Sequence, residues 1–276
     1  KVAEKFAEDG KTLIKRASQN GEFLTIDDFI EKTRIEAQNG KLHIFSTGVE
    51  LSGNNIKKAQ ERFWFNGGEL SRFDKGYEYL SDDSWKAGEV FMFSHGGLDI
   101  FNKGYETSVN GNKAEESFNF VSFVTLGFDK PVVTSRSLGS FLKGYESNAY
   151  STEKSKEGFY FNNGELTQLR KGTEINNNQM NIKELFVFKD GELCEFQNAA
   201  EIFQNGSNKA EEVFSFKDKK ISNFCKGFEC SSEGSAKTEE MFEFKDEKLS
   251  GWTQNKQNAM SFDSDGKLIP DDKKDE

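Results

Sequence analysis

One phrase, Phe-x-Lys-Gly-Tyr-Glu, recurs along most of this chain and limits what it can fold into more than any other feature. Its leading residue falls at Phe45, Phe73, Phe101, Phe141, Leu169, Phe196, Phe224 and Trp252, at spacings of 28, 28, 40, 28, 27, 28 and 28 residues. Three places on stand Gly48, Gly76, Gly104, Gly144, Gly172 and Gly227, with Ala199 and Asn255 as the exceptions. Five places on stand Glu50, Glu78, Glu106, Glu146, Glu174, Glu201 and Glu229, with Gln257 last. A period of this length means that each unit is one supersecondary element, which must stack on its neighbours to complete a core.

Upstream of each phrase lies Phe-x-Phe followed by a turn and Leu or Ile. Examples are Phe63 and Phe65 with Leu70, Phe91 and Phe93 with Leu98, and Phe214 and Phe216 with Ile221. Phenylalanines two apart place both rings on one face of a strand. Asn66-Gly67-Gly68, Asn162-Asn163-Gly164 and Lys189-Asp190-Gly191 supply the positive φ of tight hairpins. Only two prolines occur in the chain, and only Pro131 lies within the array, so the strands are free to pair. The expected fold is all-β: an elongated tandem array of about eight 28-residue β-hairpin units. A parallel β-solenoid with one coil per unit is the alternative. The segments Phe161-Asn162-Asn163-Gly164-Glu165-Leu166 and Phe188-Lys189-Asp190-Gly191-Glu192-Leu193 resemble the aromatic-x-x-Gly-x-Leu hairpins of MORN-type, choline-binding and YD-type repeats. That resemblance implies a hairpin array over residues 45 to 262 and carries no functional residues across.

Three regions are expected. Residues 1 to 42 hold a degenerate unit that acts as a cap, with a short helix over Asp27 to Glu36. Residues 43 to 262 form the repeats, and 263 to 276 form a weakened end with a charged tail. The 40-residue spacing marks an insertion near 121 to 135, read as a longer hairpin about Asp129-Lys130-Pro131. Projecting from the array, its Phe123, Val124, Phe128, Lys130, Pro131 and Val132 are candidate partner-binding residues. Folded back, the hairpin covers the neighbouring unit instead.

The charge balance, 37 Lys and Arg against 47 Asp and Glu for a net −10, argues against gripping a phosphate backbone, so nucleic acid is excluded as a main partner. The 28 phenylalanines are the wrong composition for disorder. No apolar run is long enough for a membrane-spanning helix. Cys194, Cys225 and Cys230 make neither a disulfide framework nor a zinc pattern. Cys225 and Cys230 flank a phrase and could pair, and buried free thiols are the plainer state. His43 and His95 are expected at solvated positions. No phosphate loop or nucleophile elbow occurs, and no cofactor, metal or catalytic residue is expected. Asp263-Ser264-Asp265-Gly266 opens like a calcium loop but lacks the later acidic ligands, so it reads as a turn. The phrase's Lys and Glu form a charge ladder, read either as a carboxylate row for cations or as mutual neutralisation across strands.

These features point to a non-enzymatic structural protein that self-assembles into fibres or oligomers, its partner being itself. The alternative is a monomeric binding module for a glycan or protein ligand, with Tyr77, Tyr105 and Tyr145 facing that ligand. Lys1 opens the chain without Met and without signal-peptide features, as in a processed or a trimmed chain, and an extracellular or cell-surface location is expected, with the cytoplasm open.

Overall fold

The computed structural model describes residues 4–6, 13–17, 23–24, 32–38, 40–52, 55–80, 84–126, 131–149, 152–177, 179–254, 258–262 and 268–269. Strands β1 (Glu4–Phe6), β2 (Leu13–Ala17) and β3 (Phe23–Leu24) make a small antiparallel sheet. The array begins with β4 (Thr33–Gln38), β5 (Lys41–Thr47), β6 (Glu50–Ser52), β7 (Asn55–Asn66), β8 (Glu69–Tyr79), β9 (Trp85–Ser94) and β10 (Gly97–Ser108). It continues with β11 (Gly111–Leu126), β12 (Pro131–Asn148), β13 (Glu153–Asn162), β14 (Glu165–Asn176), β15 (Gln179–Lys189), β16 (Glu192–Phe203), β17 (Asn208–Lys217) and β18 (Lys220–Cys230). The last strands are β19 (Ala236–Lys237), β20 (Glu240–Lys245), β21 (Lys248–Gln254), β22 (Asn258–Phe262) and β23 (Leu268–Ile269).

The chain divides into two compact units, Lys1–Asn112 with Thr125–Val133, and Lys113–Val124 with Thr134–Glu276. In the first, β4, β5, β7, β8, β9 and β10 pair in chain order, and β6 joins β7. In the second, β12 to β18 pair in chain order, β18 continues into β19 and β20, and β20 leads through β21 and β22 to β23. All these pairings are antiparallel, so the fold is a tandem β-hairpin repeat array and the parallel solenoid is set aside. The segment read as an inserted hairpin falls in the two longest strands, β11 with 16 residues and β12 with 18, and residues 127–130 between them lie outside the described residues.

The helix expected over Asp27 to Glu36 is not formed at its C-terminal half, since Thr33–Gln38 is strand. Pairing decides this. Ile35 lies opposite Phe45 and Thr33 opposite Thr47, and β-branched side chains fit a pleated surface better than a helix. Asp27–Glu31 lie outside the described residues, as does the Asp263-Ser264-Asp265-Gly266 turn.

The hairpin turns are those the sequence calls for. Both central residues have positive φ at Gly67-Gly68 (62° and 98°), Asn163-Gly164 (50° and 84°) and Asp190-Gly191 (52° and 78°), the type I′ geometry whose twist matches the flanking strands. Each of these hairpins then shifts register once, between Trp64 and Phe65, Tyr160 and Phe161, and Val187 and Phe188. The residue extruded by that bulge donates to a facing carbonyl: Ser71 to Trp64 O (3.2 Å), Thr167 to Tyr160 O (3.0 Å), Cys194 to Val187 O (3.3 Å), Ser222 to Ser215 O (3.1 Å) and Ser250 to Glu243 O (3.1 Å). Cys194 therefore does the work of a serine.

The phrase glycine has φ near 60° within a continuous ladder, 64° at Gly76 and 60° at Gly172. Strict alternation would put Lys75 and Tyr77 on one face. The left-handed residue between them breaks it, so Tyr77 joins Arg62 and Trp64 while Lys75 and Glu78 stay beside the phenylalanines. Between Lys and Glu the buried row then alternates large and small in the first unit, Ala59, Tyr77, Ala87 and Tyr105. In the second unit Ile182, Leu185, Ala200, Ala210 and Val213 form the core.

Candidate interaction surface

On one face of each unit the phenylalanines stack in rows, continuous in the first unit and interrupted in the second by Leu169 between Phe159 and Phe186. In the first unit ring centroids are 5.9 Å apart for Phe45–Phe63, 4.5 Å for Phe63–Phe73, 5.5 Å for Phe73–Phe91 and 4.6 Å for Phe91–Phe101. In the second, Phe118–Phe141 and Phe214–Phe224 stand at 4.5 Å, and Phe141–Phe159 and Phe224–Phe242 at 5.6 and 5.5 Å. The alternation follows from antiparallel geometry. A strand residue turns both its N–H and its C=O to one neighbour, so it forms a wide hydrogen-bonded pair on that side and a narrow pair on the other, about 5.5 and 4.5 Å between Cα atoms. The rings inherit that spacing. They remain half-buried, with lysine side chains beside them: Lys75 Nζ lies 5.7 Å from the Phe73 centroid and 5.5 Å from that of Phe91.

Beside the phenylalanines run two charged rows. In most units both strands read Lys-x-x-Glu, as in Lys58 to Glu61 and Lys75 to Glu78, with Thr47, Asn181 and Asn198 as exceptions at the Lys place, and the antiparallel register sets Lys opposite Glu. One row runs Glu61, Lys75, Glu89, Lys103 and the other Lys58, Glu78, Lys86, Glu106. Ion pairs close along them: Lys75–Glu89 at 2.9 Å, Lys86–Glu78 at 3.0 Å, Lys171–Glu184 at 2.7 Å and Lys209–Glu229 at 2.8 Å. The lysines hold Glu78 and Glu229 below the ordinary carboxylate range, chiefly through the hydrogen bonds from Lys86 and Lys209. The ladder is therefore mutual neutralisation, and among the described residues no group of three His, Cys, Asp or Glu could hold a metal.

The opposite face of the first unit carries a canopy of arginine and aromatic side chains. The Arg62 guanidinium lies 4.2 Å from the Trp64 ring and 4.6 Å from Tyr77, and that of Arg72 lies 4.1 Å from Trp85. Beneath them Asp74 is fully buried, taking bonds from Arg72 Nε (2.6 Å) and Trp64 Nε1 (3.3 Å). Burial raises the Asp74 carboxyl above its usual range, outweighing Arg72. Sequence reasoning passed over this cluster. The available signal was Trp64 inside Phe63-x-Phe65, flanked by Arg62 and Arg72 in a chain whose cations are mostly lysine.

The residues singled out from sequence fall differently. Tyr77 and Tyr105 are 7% and 8% exposed, packed against small neighbours and stacked near Trp85 at 5.7 and 5.2 Å, so neither is presented to a ligand. Tyr145 is half-buried, and burial raises its pKa. Phe123, Val124, Pro131 and Val132 lie in β11 and β12 without described side chains, and Phe128 and Lys130 lie outside the described residues. His95 occupies an exposed turn at φ 46°. His43, expected in solvent, is half-buried and bonded through Nδ1 to Phe65 O at 3.2 Å. Its bulge position pulls the ring over β7. Cys194, Cys225 and Cys230 are free thiols, half-buried, with Cys225 pushed up by burial. No helix among the described residues is long and apolar enough to cross a membrane, a statement that does not bear on crossing by strands. No protein-family model and no curated protein matches this sequence.

Proposed function

We propose that this chain is a non-enzymatic structural protein that self-assembles, a second copy docking on the phenylalanine face. The observation that carries this is the pair of charged rows in opposite phase beside a half-exposed aromatic row. A contiguous apolar strip of this kind marks an interaction surface. In the first unit the two rows are self-complementary: shifting a second copy by one strand, about 4.8 Å, inverts each sign and brings Lys over Glu. Burial of the rings drives the association and the charges select its register.

Sedimentation velocity over a concentration series, with negative-stain microscopy of the same samples, tests the reading. Mass should grow with concentration into regular oligomers or fibres. Lys75→Glu with Lys103→Glu turns the alternating row uniformly acidic and should weaken assembly while far-UV circular dichroism stays unchanged. A chain that is monomeric at every concentration, or assembly indifferent to both changes and to Phe91→Ser, refutes it.

A further inference from the structure

The canopy ends at a cavity of about 550 Å3 at the turn end of β4, β5, β7 and β8, lined by Trp64, His43, Gln38, Asn66, Lys41 and Ser71 among others. We infer that this cavity is a binding site for a neutral sugar, the ring stacking on Trp64 and its hydroxyls meeting His43, Gln38 and Asn66. The inference stands apart from assembly, since the cavity borders the canopy and not the charged rows.

The repeat itself marks the place. The middle residue of Phe-x-Phe is Met92, Asn119, Tyr160, Val187, Ser215 or Glu243 in later units, and tryptophan only in the first. Where Thr167, Cys194, Ser222 and Ser250 at later bulges bond back into their own hairpins and Asp99 stands at the bulge of β10, β5 carries His43, whose ring reaches across to Phe65 O on β7. Departures from a consensus that otherwise holds are where function is expected.

The chemistry fits one class of ligand. Trp64 is held before any ligand arrives: its Nε1 donates to Asp74, Arg62 lies on the ring, and His43 meets it edge-on at 6.0 Å and 87°. A fixed aromatic plate suits the C–H face of a sugar ring, because little order is lost on binding. Phe65 O can only accept, so His43 Nδ1 carries a proton, and in the neutral imidazole Nε2 is free to accept. The carboxamides of Gln38 and Asn66 offer both donors and acceptors. A hydroxyl both gives and accepts hydrogen bonds and so matches this mixture. Among the described residues no carboxylate lines the cavity, and Lys41 is exposed. The volume lies within the usual range for small-molecule sites, roughly 300–1,000 Å3.

The test is isothermal titration calorimetry of the full chain with cellobiose, maltose and N,N′-diacetylchitobiose, paralleled by tryptophan fluorescence. At least one should bind saturably, with affinity unchanged at high salt. Trp64→Ala and His43→Ala should each weaken binding by about tenfold, the loss of one good contact. Tyr160→Ala, at the matching place of another hairpin, should leave binding intact. Should Trp64→Ala disturb the fold by circular dichroism, His43→Ala decides. No saturable binding of any of the three, binding that survives His43→Ala, or binding abolished by salt overturns the inference.

Discussion

Ala199 stands where the phrase has glycine, and it takes the glycine conformation, φ 50° against 60° at Gly172 and 59° at Gly227. An L-residue held left-handed costs about 1–2 kcal/mol, because Cβ crowds the following carbonyl. Ala199→Gly removes that strain and frees the unfolded chain by about 0.4–1 kcal/mol in the opposite sense, so the second unit should gain roughly 0.5–1 kcal/mol. The reverse change isolates the same term. At Gly76 a Cβ would stand 3.6 Å from Gly88 N, an ordinary contact, so Gly76→Ala should lose a similar amount for conformational reasons alone. At Gly172 the new Cβ would also meet Lys183 Cδ at 2.7 Å, so Gly172→Ala should cost at least as much as Gly76→Ala. Urea denaturation by far-UV circular dichroism reads all three. An Ala199→Gly midpoint below that of the parent, or a neutral Gly76→Ala, would refute the view that the array requires a left-handed residue at each phrase.

Lys219 and Glu247 hold φ 65° at the second turn position that glycine fills elsewhere, so Lys219→Gly and Glu247→Gly should each raise the urea midpoint, Lys219 losing only its exposed 3.2 Å pair with Glu192. Cys194→Ser should be nearly neutral and Cys194→Val should cost about 1 kcal/mol by urea denaturation, because only the first keeps a donor for Val187 O; equal stabilities would dismiss that bond. Burial raises the Asp74 pKa above 3.8, so its share of stability is fully present below that value and is lost as pH rises through the folded pKa. Urea midpoints by tryptophan fluorescence should therefore improve on acidification more for the parent than for Asp74→Asn, and parallel pH profiles would count against it. Burial also pushes the Cys225 thiol up, so Cys225 should alkylate more slowly in the native protein than in urea, as mass spectrometry of labelled peptides would report.

Much of the fold is legible in the chain, since its rules are local. The type I′ turns follow from Asn163-Gly164 and Asp190-Gly191, where two successive residues must have positive φ. The phenylalanine row follows from a constant period, because equal spacing brings equal residues to equal depth. What escaped reading depends on how neighbouring strands pair and on where the backbone reverses its facing. Thr33 to Glu36 could be helix or strand until the ladder with β5 chose. Tyr77, with its ring and hydroxyl, looks like a ligand contact beside Lys75 and Glu78, and only the reversal of facing at Gly76 buries it.

The sequence alone determined the repeating strand, turn and strand; the pairing of Lys with Glu needed the antiparallel ladder and its register as well, since parallel coils would stack Lys on Lys. Only the tertiary structure decided which residues share a face across the glycine row, that Asp74 is wholly covered, and that His43 reaches Trp64. Those outcomes depend on side chains drawn from several strands at once, and a single strand's pattern records its own alternation but not what its neighbours place above it.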